Sequence, residues 1–143
     1  MTRAEGLRVW HAAQEFSDDI AELCEQMPRR GTTRLRAQML DSSESVADNI
    51  AEAAGRGVPG EKLQFLRYAR ASLEECQGQL KRCRKRGLVD EDTFHRLWNR
   101  SVAINKMLGS LIARIERALE EEKDSAPKGL AAHDPGEKAR APP

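Results

Sequence analysis

Apolar residues recur every three or four positions along almost all of residues 7–119, and this spacing constrains the fold more than any other feature. Such a period places one apolar stripe along one face of an α-helix. The cleanest stretch alternates by three and four as a seven-residue repeat, with Leu66, Ala69, Leu73, Cys76, Leu80 and Cys83 as its members. The pattern predicts an all-α protein that leaves no room for a sheet.

Three interruptions divide the pattern into four helices. Pro28 and Gly31 end the first helix, a glycine-rich stretch over 55–60 ends the second, and Gly87 ends the third. We expect helices at about residues 7–27, 33–54, 61–86 and 91–121. Because short loops make successive helices antiparallel, the sequence predicts an up-down-up-down four-helix bundle.

The bundle domain is expected to cover residues 1–121. Beyond it the apolar period disappears, and charged residues with Pro, Ala and Gly fill residues 122–143. Such a composition cannot bury enough apolar surface to offset the entropy lost on ordering. We therefore expect a disordered C-terminal tail over residues 122–143.

Composition excludes several classes of protein. No apolar run approaches the ~20 residues of a membrane span, and no secretory signal is visible at the start of the chain. The three cysteines, Cys24, Cys76 and Cys83, form no CxxC pair and lie on apolar helix faces, which is typical of small buried side chains. We expect a reduced, cytoplasmic protein with no membrane partner.

No catalytic constellation can be assembled from the sequence. His11 and His95 fall at opposite ends of an up-down bundle, His133 lies in the tail, and no Glu precedes a His by three positions, as di-iron bundles require. The run Gly55-x-Gly57-x-x-Gly60 matches the dinucleotide-binding spacing, but it follows a helix and not a strand. We expect no enzymatic activity, no cofactor and no metal.

Six polar residues flank the apolar stripes of the second and third helices: Ser45, Asn49, Glu52, Arg56, Ser72 and Glu75. Polar groups at the edge of a core need hydrogen-bond partners. One interpretation, which we favour, is a buried polar lock between the helices, linked directly or through Arg56. The other is a ligand cleft. A lock predicts that Glu52→Ala lowers the free energy of unfolding by about 1–3 kcal/mol.

The same region carries a family resemblance. The motifs are Leu7-Arg8-Val9-Trp10, Asn49-Ile50-Ala51-Glu52, Gly55-Arg56 and Phe65-Leu66-x-Tyr68-Ala69-x-x-Ser72-Leu73-x-Glu75. In order and spacing they resemble the four-helix-bundle proteins encoded in intervening sequences of large-subunit ribosomal RNA genes. That family also includes the accessory variability determinants of diversity-generating retroelements. The resemblance implies a ring-like homopentamer, and for the retroelement members a scaffold that binds RNA or DNA and a reverse transcriptase.

The up-down order of the helices brings basic residues together at one end of the bundle, although the formal net charge is only +1. In an up-down bundle the first and third loops share one end. That end collects Arg29, Arg30, Arg34, Arg36, Lys81, Arg82, Arg84, Lys85 and Arg86. One interpretation is a phosphate-binding surface with salt-dependent affinity; the other is solvated cations that complement helix dipoles. No aromatic residue is interleaved with these segments, so we expect no base stacking.

Two functions remain open. The first is a non-enzymatic oligomeric scaffold that binds nucleic acid, or a nucleic-acid enzyme such as a reverse transcriptase, through the basic end. The second is an oligomeric adaptor that binds only proteins. Under both we expect a homo-oligomer, because the apolar side chains of Val9, Trp10 and Trp98 exceed what one four-helix core requires and indicate a second packing surface. The family resemblance implies that this oligomer is cyclic and a pentamer.

Overall fold

The computed structural model describes residues 1–125, and within that range it contains four α-helices and no strand. The helices are α1 (Arg3–Gln26), α2 (Thr33–Gly55), α3 (Pro59–Lys85) and α4 (Glu91–Ser125). The all-α prediction is confirmed. Helix α4 extends through Ser125, four residues beyond the expected end of the bundle domain at residue 121. The rest of the expected tail lies outside the described residues.

Contacts between the helices establish the antiparallel order. Glu5 near the start of α1 forms an ion pair with Arg114 near the end of α4. The Lys62 ammonium, in the first turns of α3, donates to the carbonyl of Ala53 near the end of α2 at 3.1 Å. Each helix packs against its two neighbours around a closed square, and α2 and α3 share the most extensive contact. The predicted up-down-up-down bundle is therefore confirmed.

Local chemistry explains where the helices begin and end. The Thr2 hydroxyl accepts from the Glu5 backbone N–H at 3.1 Å, while the Glu5 carboxylate accepts from the Thr2 backbone N–H at 2.9 Å. This capping box starts α1 four residues before the apolar period becomes visible. Gly31 and Gly87 have φ of 80° and 69°, a left-handed conformation that glycine adopts without steric cost. They form the two turns at one end of the bundle.

The core follows the predicted stripes. The seven-residue repeat of α3 is fully buried at Leu66, Ala69, Leu73, Cys76, Leu80 and Cys83. All three cysteines are buried as free thiols, as their positions on apolar faces predicted. The expectation that Val9 exceeds the needs of one core was wrong, because Val9 lies fully inside that core, whereas Trp10 and Trp98 pack against its edge. None of the helices described here has the length and hydrophobicity that crossing a membrane requires.

Candidate nucleic-acid interface

The α1–α2 and α3–α4 turns lie together at one end of the bundle. The Arg86 guanidinium, at the end of α3, donates to the carbonyl oxygen of Gly31 at 2.9 Å and joins the two turns directly. This end, called the basic end below, carries Arg29, Arg30, Arg34, Arg36, Lys81, Arg82, Arg84, Lys85 and Arg86. All of them are exposed except Arg36, which is half-buried. The structure places the two basic segments at the same end of the bundle, as the up-down order of the helices predicts.

Three of these guanidinium groups are engaged in holding the end together. Besides Arg86, Arg36 donates to the Thr32 hydroxyl at 2.9 Å and to the Arg29 carbonyl at 3.3 Å. Arg84 donates two hydrogen bonds to the Glu91 carboxylate, at 2.8 and 2.9 Å. Such a bidentate pair fixes the start of α4 against the end of α3. These arginines therefore brace the loops.

The other six side chains have no ion pair with any residue in the range 1–125; they are Arg29, Arg30, Arg34, Lys81, Arg82 and Lys85. Two of the nearby acids do not neutralise them, because both have other partners. Glu91 is paired with Arg84, and Asp90 accepts from the Thr93 backbone N–H at 2.7 Å. That hydrogen bond holds the pKa of Asp90 below its ordinary value and caps α4. An excess of positive charge remains exposed at this end.

Two aromatic side chains of α4 lie beside the cations of α3. The Lys81 ammonium is 5.0 Å from the centroid of the Trp98 ring, and the Arg84 guanidinium carbon is 4.5 Å from that of Phe94. The two basic segments contain no aromatic residue, but Phe94 and Trp98 pack beside them. They belong to a different helix, and only the rotation of α4 about its axis brings them next to α3. The available signal was their i, i+4 spacing in the first turns of a helix that begins at this end.

The predicted polar lock is wrong as a buried device. Its members are Ser45, Asn49, Glu52, Arg56, Ser72 and Glu75, and within the described residues no hydrogen bond joins those of α2 to those of α3. Glu52 and Glu75 are exposed, and Glu52 pairs with Arg56 one turn along the same helix at 3.1 Å. Asn49 donates to the Ser45 carbonyl, also within α2. These six residues are exposed or only half-buried, so they lie on the solvent-facing flank of the α2–α3 contact.

Different polar residues link the helices. The Ser42 hydroxyl donates to the Gln79 amide oxygen at 2.7 Å between α2 and α3, and both side chains are buried. The Gln77 amide donates to the hydroxyl of Ser101, a fully buried residue of α4, at 2.8 Å. These hydrogen bonds were not predicted, because periodicity places Ser101 on a buried helix face but does not identify the side chain of the neighbouring helix that it meets.

The opposite end of the bundle, called the apolar end below, carries a groove with a largely apolar lining. A groove of about 620 Å³ lies between α1 and α2 there, and Leu7, Trp10 and Ala54 line it. Leu7 of α1 is 52% exposed, and Val58 of the α2–α3 loop is 55% exposed. No cluster of three or more His, Cys, Asp or Glu side chains suited to a metal ion occurs among residues 1–125. The two ends therefore differ in chemistry.

Comparisons with known proteins agree with this architecture. The crystal structure of a protein of unknown function from the S23 ribosomal protein family of Bacteroides thetaiotaomicron superposes with a TM-score of 0.69. That protein is 22% identical, and the alignment covers 76% of this chain and 98% of that one, so it establishes a shared fold. No curated protein matches the chain. The family model described as 23S rRNA-intervening sequence protein matches residues 5–110, which span most of the bundle. The chain belongs to the family of 23S rRNA-intervening sequence proteins.

Proposed function

We propose that the protein is a cytoplasmic, non-enzymatic scaffold that assembles as a cyclic homo-oligomer and binds RNA or DNA phosphates through its basic end. The observation that carries this proposal is the group of six exposed basic side chains without ion pairs in the described chain, all at one end. Lys and Arg hold phosphates as point charges and as hydrogen-bonding forks, and this needs no base-reading motif. Three buried free thiols support a reducing compartment.

The apolar end supports self-assembly. Leu7, Val58 and Tyr68 are large hydrophobic residues that are about half exposed in the single chain. Exposed apolar groups beside a groove commonly mark a protein contact surface. The family resemblance favours five copies in a ring. In a ring whose subunits point the same way, the basic ends form one positive face that can collect many phosphates at once.

A salt series tests the nucleic-acid function. Fluorescence anisotropy with labelled 20-nucleotide RNA and DNA should show binding at 50 mM salt and weaker binding at 200 mM. If about four phosphates are contacted per site, counterion release predicts roughly a 50-fold loss of affinity for single strands over this range. RNA and DNA of different sequences should bind alike. Absence of binding at 50 mM salt would favour the protein-only adaptor.

A charge-reversed pair locates the site. Arg30→Glu with Arg34→Glu should abolish binding, because both side chains are exposed at the basic end without ion pairs in residues 1–125. Both flank the start of α2, where acidic residues are favoured by the helix dipole, so the melting temperature should hold. The matched control is Arg3→Glu with Arg117→Glu at the opposite end, which should change affinity little. Equal losses from the two pairs contradict the proposal.

A further inference from the structure

A groove of about 650 Å³ runs between the end of α3 and the start of α4 at the basic end. Cationic side chains of α3, Lys81 and Lys85, line one side, and the rings of Phe94 and Trp98 line the other. Its volume falls within the range of pockets that hold small organic ligands. A flat aromatic surface beside mobile positive charge is suited to a ligand that combines a planar ring with a phosphate.

We propose that this groove binds one unpaired base of a single-stranded nucleic acid, stacked on the indole of Trp98, with the adjoining phosphates held by Lys81 and Lys85. The inference rests on the proposed function, since it names the form of nucleic acid that the basic end takes. A base in a duplex has both faces covered by its neighbours, so a stacking site selects single strands.

The position of Lys81 identifies the accessible face of the indole. Its ammonium lies 5.0 Å from the ring centroid of Trp98, in a cation–π contact. Lys81 is exposed on a long flexible stem, so the ammonium can move from the ring to a phosphate when a base takes its place. The base then takes the place of the ammonium on the indole ring, and the ammonium binds the phosphate. This exchange requires no change in the backbone.

Phe94 holds the stacking surface in place. Its ring is 3% exposed and lies nearly parallel to the Trp98 ring, at an interplanar angle of 15° with the centroids 5.8 Å apart. The Arg84 guanidinium covers Phe94 at 4.5 Å and at the same time binds Glu91. A packed indole loses little conformational entropy when a base stacks on it.

The one carboxylate in the groove does not repel a phosphate. Glu91 accepts two hydrogen bonds from Arg84, and this pairing holds the pKa of Glu91 below its ordinary value. The pair is therefore neutral as a unit near pH 7. Lys81 and Lys85 supply the uncompensated positive charge, and the groove is continuous with the rest of the basic end through Lys85.

Tryptophan fluorescence tests the stacking directly. The chain has two tryptophans, so a Trp10→Phe background leaves Trp98 as the reporter. At low salt it is titrated with a 12-nucleotide thymidine strand, an abasic strand of equal charge and a 12-base-pair duplex. The thymidine strand should quench the fluorescence, whereas the abasic strand and the duplex should bind without quenching.

Affinity measurements separate the contribution of the base to binding from that of the phosphates. Trp98→Leu in the full chain should weaken binding of the thymidine strand about ten-fold and leave the abasic strand unchanged. Trp98→Phe keeps a stacked ring for the core edge and should retain most of the affinity, which guards against a folding defect. Phe65→Leu is the matched control and should have no effect, because Phe65 also packs against the core edge beneath a cation, Arg56, but lies at the other end of the bundle and outside the apolar groove.

The outcomes distinguish this site from the general function. Equal affinity for thymidine and abasic strands, with Trp98 unquenched, overturns the stacking site but leaves phosphate binding at the basic end intact. Failure of every strand to bind at low salt overturns both. If thymidine monophosphate binds as tightly as the 12-nucleotide strand, the groove is a free-nucleotide site and the proposal for a strand is wrong.

Discussion

Ser42 and Gln79 form a buried hydrogen bond across the most extensive helix contact of the bundle. Truncating Ser42→Ala would leave the Gln79 amide oxygen without its partner, at a cost of about 1–3 kcal/mol in the free energy of unfolding. In contrast, Glu52→Ala removes an exposed same-helix ion pair and should cost no more than about 0.5 kcal/mol. Urea unfolding of the two variants measures both values.

A double variant provides the control for Ser42→Ala. Adding Gln79→Leu removes the orphaned amide, so Ser42→Ala with Gln79→Leu should recover part of the loss. A larger cost for Glu52→Ala than for Ser42→Ala would restore the polar-lock interpretation. The sequence predicted that polar side chains link α2 and α3 but assigned the role to the wrong residues. Glu52 and Ser42 both lie near the apolar stripe, and only the facing side chains of α3 decide which flank is buried.

Helix α3 shows how far the sequence pattern reaches. Its seven-residue repeat specified the centre of the buried face, because six apolar positions on one stripe leave only one orientation toward the core. Leu63 and Gln79 are buried beside that stripe. The sequence also predicted which residues of α3 form a cationic face and at which end of the bundle they lie. It did not predict the side chains that contact this face, since Lys81 meets Trp98 and Arg84 meets Phe94 only through the relative rotation of two helices. Periodicity within a single helix contains no information on that angle.

Because two thiols are buried in α3, the free energy of unfolding should fall at alkaline pH. Burial raises the pKa of Cys76 from an ordinary value of 9.0 to about 12, and that of Cys83 to about 11. From pH 9 to about pH 12 the unfolded chain therefore loses thiol protons that the folded chain retains, so stability is complete below pH 9 and falls above it. At pH 10 Cys76 alone should account for a loss of about 1.4 kcal/mol in the free energy of unfolding.

Urea midpoints at pH 8 and pH 10 measure this loss. Lysine and tyrosine side chains also begin to titrate in that window, so the comparison needs a variant without the two thiols. Cys76→Ala with Cys83→Ala is less stable at both pH values because it leaves cavities, but its decline between them should be smaller than that of the parent. An equal decline in the two proteins would mean that the thiols ionise freely in the fold.

The whole molecule has two unlike ends, and the apolar one is expected to mediate assembly. Light scattering at micromolar concentration should give a mass of five times 16.0 kDa if the family resemblance extends to the oligomer. Leu7→Glu with Val58→Glu should increase the monomer fraction, because both side chains are exposed in the single chain and are free to be covered in an assembly.

Two results bear on that expectation. The basic-end pair Arg30→Glu with Arg34→Glu should keep the parent mass, since it lies far from the apolar groove. A parent mass near 16 kDa would show that the chain is a monomer and that the exposed apolar residues serve another partner. The circular dichroism spectra of these two double variants should remain helical, because none of the four substituted side chains is buried.

Because cations without an ion pair among residues 1–125 are concentrated at one end of the bundle, this described part of the molecule has an electric dipole along its long axis. On a negatively charged support such as mica, molecules should therefore stand upright with the Gly31 and Gly87 turns facing the mineral. The amino terminus would then lie about 40 Å above the support, the length of a 27-residue helix. A dye at Met1 would report that height, and added salt would randomise the orientation.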